Sequence, residues 1–227
     1  MRIVFVVLRV IAAVGIAVAA FVQLGQTLAY WPQQGVDAPG YFVLNFFSFF
    51  TIDSNLGSAV TLLIGAVLLL VGRGEDPRWF ALLRMSVTTY MTVTGVVYNL
   101  LLRNVELPQG LTVPWSNEVL HVIAPAYLVI DWLFAPGRRR LEWKAVWVAV
   151  AFPILWAIYT LVRGPLVVDP TTGDPFWYPY PFLNPNLSAN GYLSVAFYVI
   201  LIAAIIIGVA AAAIWVSRRG RWPLRST

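Results

Sequence analysis

Polar side chains interrupt an otherwise apolar stretch at residues 46–55, whose sequence is FFSFFTIDSN. The stretch brings hydroxyl groups, a carboxylate and an amide close together, and the single histidine of the chain, His121, also lies in an apolar segment. A hydroxyl beside an imidazole is the minimum set for nucleophilic catalysis, because the imidazole can take the hydroxyl proton as the oxygen attacks a carbonyl carbon. Polar groups are costly in lipid, so both places are candidate functional sites.

The composition is that of an integral membrane protein. Of the 227 residues, 60% are hydrophobic and 11% are charged, with a mean hydropathy of +0.78. Soluble domains are about 45–50% apolar and about 25% charged. Apolar runs predict a single all-α domain with six transmembrane helices, at residues 3–24, 41–71, 79–103, 114–134, 143–162 and 192–216. The second run is too long for one upright span, so either its first turns lie at the interface or the helix is strongly tilted.

The residue types that are missing exclude several kinds of site. Without cysteine the chain has no disulfide, no cysteine-based zinc or iron–sulfur site and no thiol nucleophile. One histidine cannot supply two axial haem ligands or a His-x-x-x-His zinc pair. We therefore expect chemistry without a metal or a cofactor.

The basic residues predict the orientation of the chain. All of the 15 except Arg103 and Arg163 fall at the two termini, in the loops between spans two and three and between spans four and five, or in the turns that flank them. They are Arg2, Arg9, Arg73, Arg78, Arg84, Arg138, Arg139, Arg140, Lys144, Arg218, Arg219, Arg221 and Arg225. The positive-inside rule then places both termini in the cytoplasm, an N-in/C-in arrangement. The net charge of +5 indicates contact with anionic lipid rather than nucleic acid. The excess of arginine over lysine is typical of a high-GC bacterium, which predicts the inner membrane as the location.

The depth of each residue predicts which polar groups can meet. At a rise of about 1.5 Å per residue, His121 lies about 10 Å into its span and Thr51 about 15 Å into its own, both from the outer face. Polar side chains at the outer ends of other spans fall in the same layer: Tyr98, Asn99, Arg103, Tyr159 and Arg163. The inner half is predicted to be mostly apolar apart from the threonines of the third span.

Helical spacing sharpens this prediction. Ser48, Thr51, Asn55 and Ser58 share one helix face, and Asn117 lies one turn before His121. Lipid cannot satisfy such polar stripes, so they should face one another or a wet cavity.

Structural interpretations remain open for each residue. Thr51 could be a packing hydroxyl, and His121 could join two helices by a hydrogen bond. Asp53 could relay protons or pair with Arg103 or Arg163. The solvated interpretation is favoured for the two acidic residues nearer the interfaces, Glu118 and Asp131, and helix packing for the threonines of the third span.

Three motifs in one order carry a family resemblance. They are FFT at residues 49–51, NEVLHVIAP at residues 117–125 followed by Asp131 near the end of the same span, and YPYPFL at residues 178–183. With the six-span layout, they make the chain resemble the androgen-induced-gene (FAR-type) intramembrane threonine hydrolases, the relatives of the androgen-dependent TFPI-regulating protein, as a bacterial member. The chain differs from the animal proteins in its more polar residues 52–55 and in Glu118, where those proteins tend to have a second histidine.

The resemblance implies a hydrolase of lipid esters, in particular fatty acid esters of hydroxy fatty acids. Thr51 matches the nucleophile of the family and His121 its base. We expect Asn55, Asn99, Asn117 or Arg103 to contact the oxyanion or a carboxylate. Ser48 is a further candidate on the Thr51 face, and Arg103 or Arg163 could bind the free carboxylate of the substrate. Membrane lipids and the lipid ester are the expected partners, and the sequence leaves the oligomeric state open.

Two other functions fit the same sequence. A polar layer in one half of the bilayer with Asp53 in a span would suit a proton-coupled transporter, although no inverted repeat or broken helix pair is evident. A non-catalytic lipid-binding or scaffold protein is the second alternative.

Overall fold

The computed structural model describes residues 1–72, 74–105 and 110–219, and the regular structure in these ranges is entirely helical. Arg73, Arg221 and Arg225, which counted toward the predicted orientation, lie outside the described residues. Within the described chain, six helical segments are long and apolar enough to cross a membrane: Arg2–Gln33, Phe50–Val71, Arg78–Leu102, Pro114–Phe134, Trp143–Leu166 and Tyr192–Arg218. The chain is therefore an all-α, multi-pass membrane protein by the length and composition of its helices.

The described residues contain eight α-helices, seven of which lie within these segments. They are α1 (Arg2–Gln33), α2 (Pro39–Phe46), α3 (Phe50–Val71), α4 (Arg78–Val97), α5 (Pro114–Glu118), α6 (Ala124–Phe134), α7 (Val146–Arg163) and α8 (Tyr192–Arg218). Helix α4 occupies the centre, because it is the most buried span and packs against α3, α6, α7 and α8. Helix α1 packs against α3, and its buried side chains include Ala13, Ile16 and Ala20.

The second predicted span is two helices rather than one. Helix α2 ends at Phe46 and α3 begins at Phe50, with a turn at residues 47–49. Ser48 ends α2 by donating its hydroxyl to the Leu44 carbonyl at 2.8 Å, while Trp156 donates its indole N–H to the Ser48 carbonyl at 3.1 Å. The prediction that Ser48 shares a helix face with Thr51 is therefore wrong. The first helix is also longer than predicted, since it continues to Gln33.

The half of the bundle that we predicted to be mostly apolar contains a buried cluster of charges. The Asp131 side chain accepts hydrogen bonds from Arg9 at 2.8 and 3.0 Å and from Arg84 at 3.0 Å. Arg84 also donates to Asp76 at 3.0 Å, and Arg9 donates to the Gly65 carbonyl at 2.7 Å. Asp131 is only 1% exposed, so its predicted solvation is wrong. The cluster ties α1, α3, α4 and α6 together at this level.

Two π-helical turns lie where the α4 segment meets the segment that carries His121. They are Tyr98–Leu102, which continues α4, and Val119–Ile123, between α5 and α6. Pro125 has no N–H to donate to the His121 carbonyl one turn earlier, which favours the wider turn. Gly95 lets the two helices approach closely, because a Cβ there would lie 3.0 Å from the Pro125 Cβ and 3.3 Å from the His121 carbonyl oxygen.

Candidate active site

Thr51 lies in the first turn of α3, directly after the break at residues 47–49. Its side chain is buried, with 8% of the residue exposed. The start of a helix carries a partial positive charge because its first N–H groups have no partner within the helix. The helix dipole therefore favours negative charge at this end of α3.

His121 presents one ring nitrogen to the Thr51 hydroxyl. Its Nε2 lies 3.3 Å from Thr51 Oγ1, and its Nδ1 lies 2.9 Å from the Asn117 carbonyl oxygen. Because a carbonyl can only accept a hydrogen bond, Nδ1 must carry the proton of the neutral ring. Nε2 then directs its lone pair at Thr51, which is the arrangement that a general base needs.

Tyr98 holds the imidazole ring in this orientation. The two rings stack with centroids 4.0 Å apart and planes inclined by 26°. The Tyr98 hydroxyl accepts a hydrogen bond from the Asn117 side-chain amide, so Asn117 supports both rings at once. The predicted pairing of Asn117 and His121 on one helix therefore has a physical role in fixing the position of the imidazole.

Sequence reasoning missed a third residue at the site, Tyr180. The loop between α7 and α8 folds back into the bundle and buries the Tyr180 ring against Phe49, Phe182 and Trp156. The Tyr180 hydroxyl lies 3.2 Å from both the backbone nitrogen and Oγ1 of Thr51. Burial raises the pKa of Tyr180 to about 12, so the hydroxyl keeps its proton at neutral pH.

One assignment of protons satisfies all of these hydrogen bonds. The Tyr180 oxygen accepts the Thr51 N–H, which leaves the phenol proton to donate to Thr51 Oγ1. Thr51 Oγ1 then donates its own proton to His121 Nε2, and His121 Nδ1 donates to the Asn117 carbonyl. The hydroxyl of Thr51 thus stands between a donor and a base. The only signal for Tyr180 in the sequence was the YPYPFL motif.

The predicted oxyanion amides are engaged elsewhere. Asn55 donates its side-chain amide to the carbonyls of Thr51 and Leu120, at 2.9 and 3.1 Å, which uses both of its hydrogens. Asn99 donates to the carbonyls of Gly95 and His121, at 2.8 and 3.4 Å. These contacts position the backbone around Thr51 and His121, and they leave no amide hydrogen of Asn55 for a ligand.

The two arginines predicted to bind a carboxylate already have partners. Arg103 pairs with Glu118 at 2.8 Å, and Arg163 donates to the Asn45 side chain at 2.5 Å while its guanidinium lies over the Trp177 ring. Glu118 is therefore ion-paired, although its side chain is 44% exposed.

The predicted pairing of Asp53 with Arg103 or Arg163 is wrong, and Asp53 has no hydrogen-bond or ion-pair partner among the described residues. Asp53 lies on the same side of α3 as the exposed residues Val60 and Val67. It is in the first turn of the helix, where the helix dipole stabilises an acidic side chain.

An apolar cleft leads away from Thr51 between α4, α7 and α8. It has a cavity volume of about 120 Å³, and Thr51 and Tyr180 are among the residues that line it. The remaining lining is almost entirely apolar, with Val97, Ala157 and Ala203 as representatives of the three helices. Such a cleft suits an acyl chain better than any polar solute.

A wider cavity opens on the other side of Tyr180, among the loops. This vestibule has a volume of about 730 Å³ and is lined by aromatic rings together with polar side chains, including Asp169 and Asp174. Among the described residues, Tyr180 is the one that lines both the vestibule and the cleft. It therefore forms part of the boundary between a polar and an apolar space.

The described residues contain no group of three or more histidine, cysteine, aspartate or glutamate side chains that could hold a metal ion. No protein-family model, curated protein or solved structure matches the chain.

Proposed function

We propose that the protein is an intramembrane carboxylic ester hydrolase in which Thr51 is the nucleophile and His121 the general base. The observation that carries the proposal is the contact of 3.3 Å between Thr51 Oγ1 and the unprotonated Nε2 of His121. Buried hydroxyls in membrane helices usually bond the carbonyl one turn earlier, as Thr89 and Thr92 do in α4. Thr51 instead faces an imidazole and lines an apolar cleft.

The reaction would proceed through an acyl-enzyme. His121 Nε2 takes the Thr51 hydroxyl proton as Oγ1 attacks the ester carbonyl carbon, and the imidazolium then protonates the departing alcohol. The start of α3 and the Tyr180 hydroxyl would stabilise the negative charge that develops. Water hydrolyses the acyl-threonine in the second half of the reaction. This chemistry requires neither a metal nor a cofactor.

Lipid esters are the substrate class that the surroundings favour. An acyl chain would occupy the cleft between α4, α7 and α8, and the polar part of the molecule would extend toward the vestibule. We propose fatty acid esters of hydroxy fatty acids, or similar lipid esters, as substrates. Arg103 and Arg163 lie at the same end of the bundle, but each would have to leave its present partner to bind a free carboxylate.

The family, the orientation and the location are part of the same proposal. We propose that the chain is a bacterial member of the androgen-induced-gene (FAR-type) family, lies in the inner membrane and has both termini in the cytoplasm. Basic residues support this orientation, because Arg78, Arg139 and Lys144 lie in or beside the loops predicted to be cytoplasmic, where they pair with exposed acidic groups. The active site would then lie in the outer half of the bilayer.

Turnover by purified variants tests the proposal. Thr51→Val keeps the shape of the side chain but removes the hydroxyl, so hydrolysis of a lipid ester should be lost, as it should in His121→Ala. Thr51→Ser should retain activity, because it keeps a nucleophilic oxygen. Thr94→Val is the matched control, since Thr94 lines the same cleft but bonds Ser54 at 3.2 Å. Wild-type turnover by Thr51→Val would refute the mechanism.

The position of Asp53 does not favour proton-coupled transport. That alternative depends on Asp53 lying along a polar path, whereas Asp53 does not line the cleft, the vestibule or the small cavity beside His121.

A further inference from the structure

A second, smaller cavity lies against Thr51, between α1, the start of α3 and the helical segment that carries His121. Both Thr51 and His121 line this chamber, together with the polar residues Gln23, Ser116 and Asn117. Among the described residues, Thr51 is the one that lines both the chamber and the acyl cleft. His121 lines the chamber but is not among the residues that line the cleft.

The size of the chamber limits what can enter it. Its cavity volume is about 20 Å³. A site needs roughly 10–15 Å³ of such volume and at least two polar partners to hold one water molecule. The polar residues of its lining, Gln23, Thr51, Ser116, Asn117 and His121, supply such partners, and the volume excludes an acyl chain or a lipid head group.

We propose that this chamber binds the water molecule that releases the acyl group from Thr51, an inference that rests on the hydrolase function proposed above. With the acyl chain in the cleft, the chamber is the space that adjoins both the acylated oxygen and the base. His121 Nε2 takes a proton from the water as its oxygen bonds to the carbonyl carbon. The bond from that carbon to Thr51 Oγ1 then breaks, Oγ1 receives the proton from the imidazolium, and a free carboxylic acid leaves.

Ser116 allows the chamber to be filled without altering the catalytic pair. It is fully buried, and its hydroxyl donates to the Ala19 carbonyl at 2.7 Å. Ser116→Ala and Ser116→Val both lose this hydrogen bond, but only valine adds volume. Rapid mixing with a p-nitrophenyl ester separates the two half-reactions. The initial burst of p-nitrophenol reports the rate of acylation, and the slower steady-state release reports the rate of deacylation. Mass spectrometry of the Thr51 peptide measures the acyl-enzyme directly.

We expect Ser116→Val to keep the burst rate of Ser116→Ala but to lose about tenfold or more in steady-state turnover, with acylated Thr51 accumulating. Equal release rates in the two variants would overturn the role of the chamber while leaving the hydrolase function intact. If Thr51 is acylated neither in the wild type nor in the variants, the hydrolase function itself fails, and the role of the chamber fails with it.

The size of the chamber can also be tested in the wild-type protein, without a substitution that fills it. Alcohols compete with water for the acyl-enzyme, and a chamber with room for one water should admit methanol far better than 1-butanol. We expect acyl transfer to methanol to exceed transfer to 1-butanol by about tenfold or more. Leu120→Ala enlarges the chamber, because Leu120 is buried in its wall, and should increase transfer to 1-butanol. Equal transfer to both alcohols by the wild type would overturn the proposal.

Discussion

Tyr180→Phe is the substitution that best separates chemistry from packing at this site. The phenylalanine ring would keep the stacking on Phe182, whose centroid is 5.2 Å away, and the contact with Phe49. The hydroxyl would be lost, and with it both contacts of 3.2 Å to Thr51. A hydrogen bond to a group that gains charge contributes about 1.5–3 kcal/mol. Since about 1.4 kcal/mol changes a rate tenfold, kcat should fall about 10- to 150-fold.

The same substitution has a predictable effect on stability. The Thr51 N–H would lose its acceptor in a buried position, which costs about 1–3 kcal/mol. Thermal unfolding in detergent should therefore shift to lower temperature, while the initial rate of ester hydrolysis below that temperature reports the chemistry. Tyr178→Phe is the matched control, because Tyr178 is buried in the same loop but does not contact Thr51. A kcat of Tyr180→Phe within twofold of the wild type, or an equal loss in Tyr178→Phe, would refute the catalytic role.

Three further substitutions test the parts of the fold that support the site. Asp131→Asn removes the charge that faces two buried arginines and should destabilise the protein by about 3–5 kcal/mol, as thermal unfolding would show; an unchanged melting temperature would contradict this. Gly95→Val should push against Pro125 and the carbonyl of His121, so ester turnover should fall even where the protein remains folded. Ala203→Phe should narrow the cleft and lower kcat/KM for long-chain esters by about tenfold or more, with short-chain esters unaffected; equal losses for both would exclude the cleft as the acyl site.

Local rules predicted the pairing of Thr51 and His121 but not their surroundings. Depth along two helices placed both residues in one layer, and in the structure Thr51 Oγ1 lies 3.3 Å from His121 Nε2. The contact with Tyr180 could not be predicted in this way, because a loop that folds back into a bundle has no helical period to reveal its register. The break between α2 and α3 was equally hidden, since no glycine or proline lies within residues 47–49.

The buried charges show a different failure of sequence reasoning. Asp131 lies near the end of its predicted span, so distance from the interface favoured solvation. Its partners, Arg9 and Arg84, were assigned to the cytoplasmic face by charge counting alone. A test for acidic and basic residues at matching depth in different spans would have predicted their pairing, because isolated charges are rarely buried in a membrane protein.

Covalent labelling tests the central claim most directly. A fluorophosphonate probe reacts with an activated hydroxyl and leaves a stable adduct, which mass spectrometry can assign to a peptide. We predict that the folded wild-type protein is labelled on Thr51, that Thr51→Val and His121→Ala are not labelled, and that Thr94→Val is labelled as the wild type is. An unlabelled Thr51 in folded wild-type protein, or labelling of another residue that persists in Thr51→Val, would contradict the proposed mechanism.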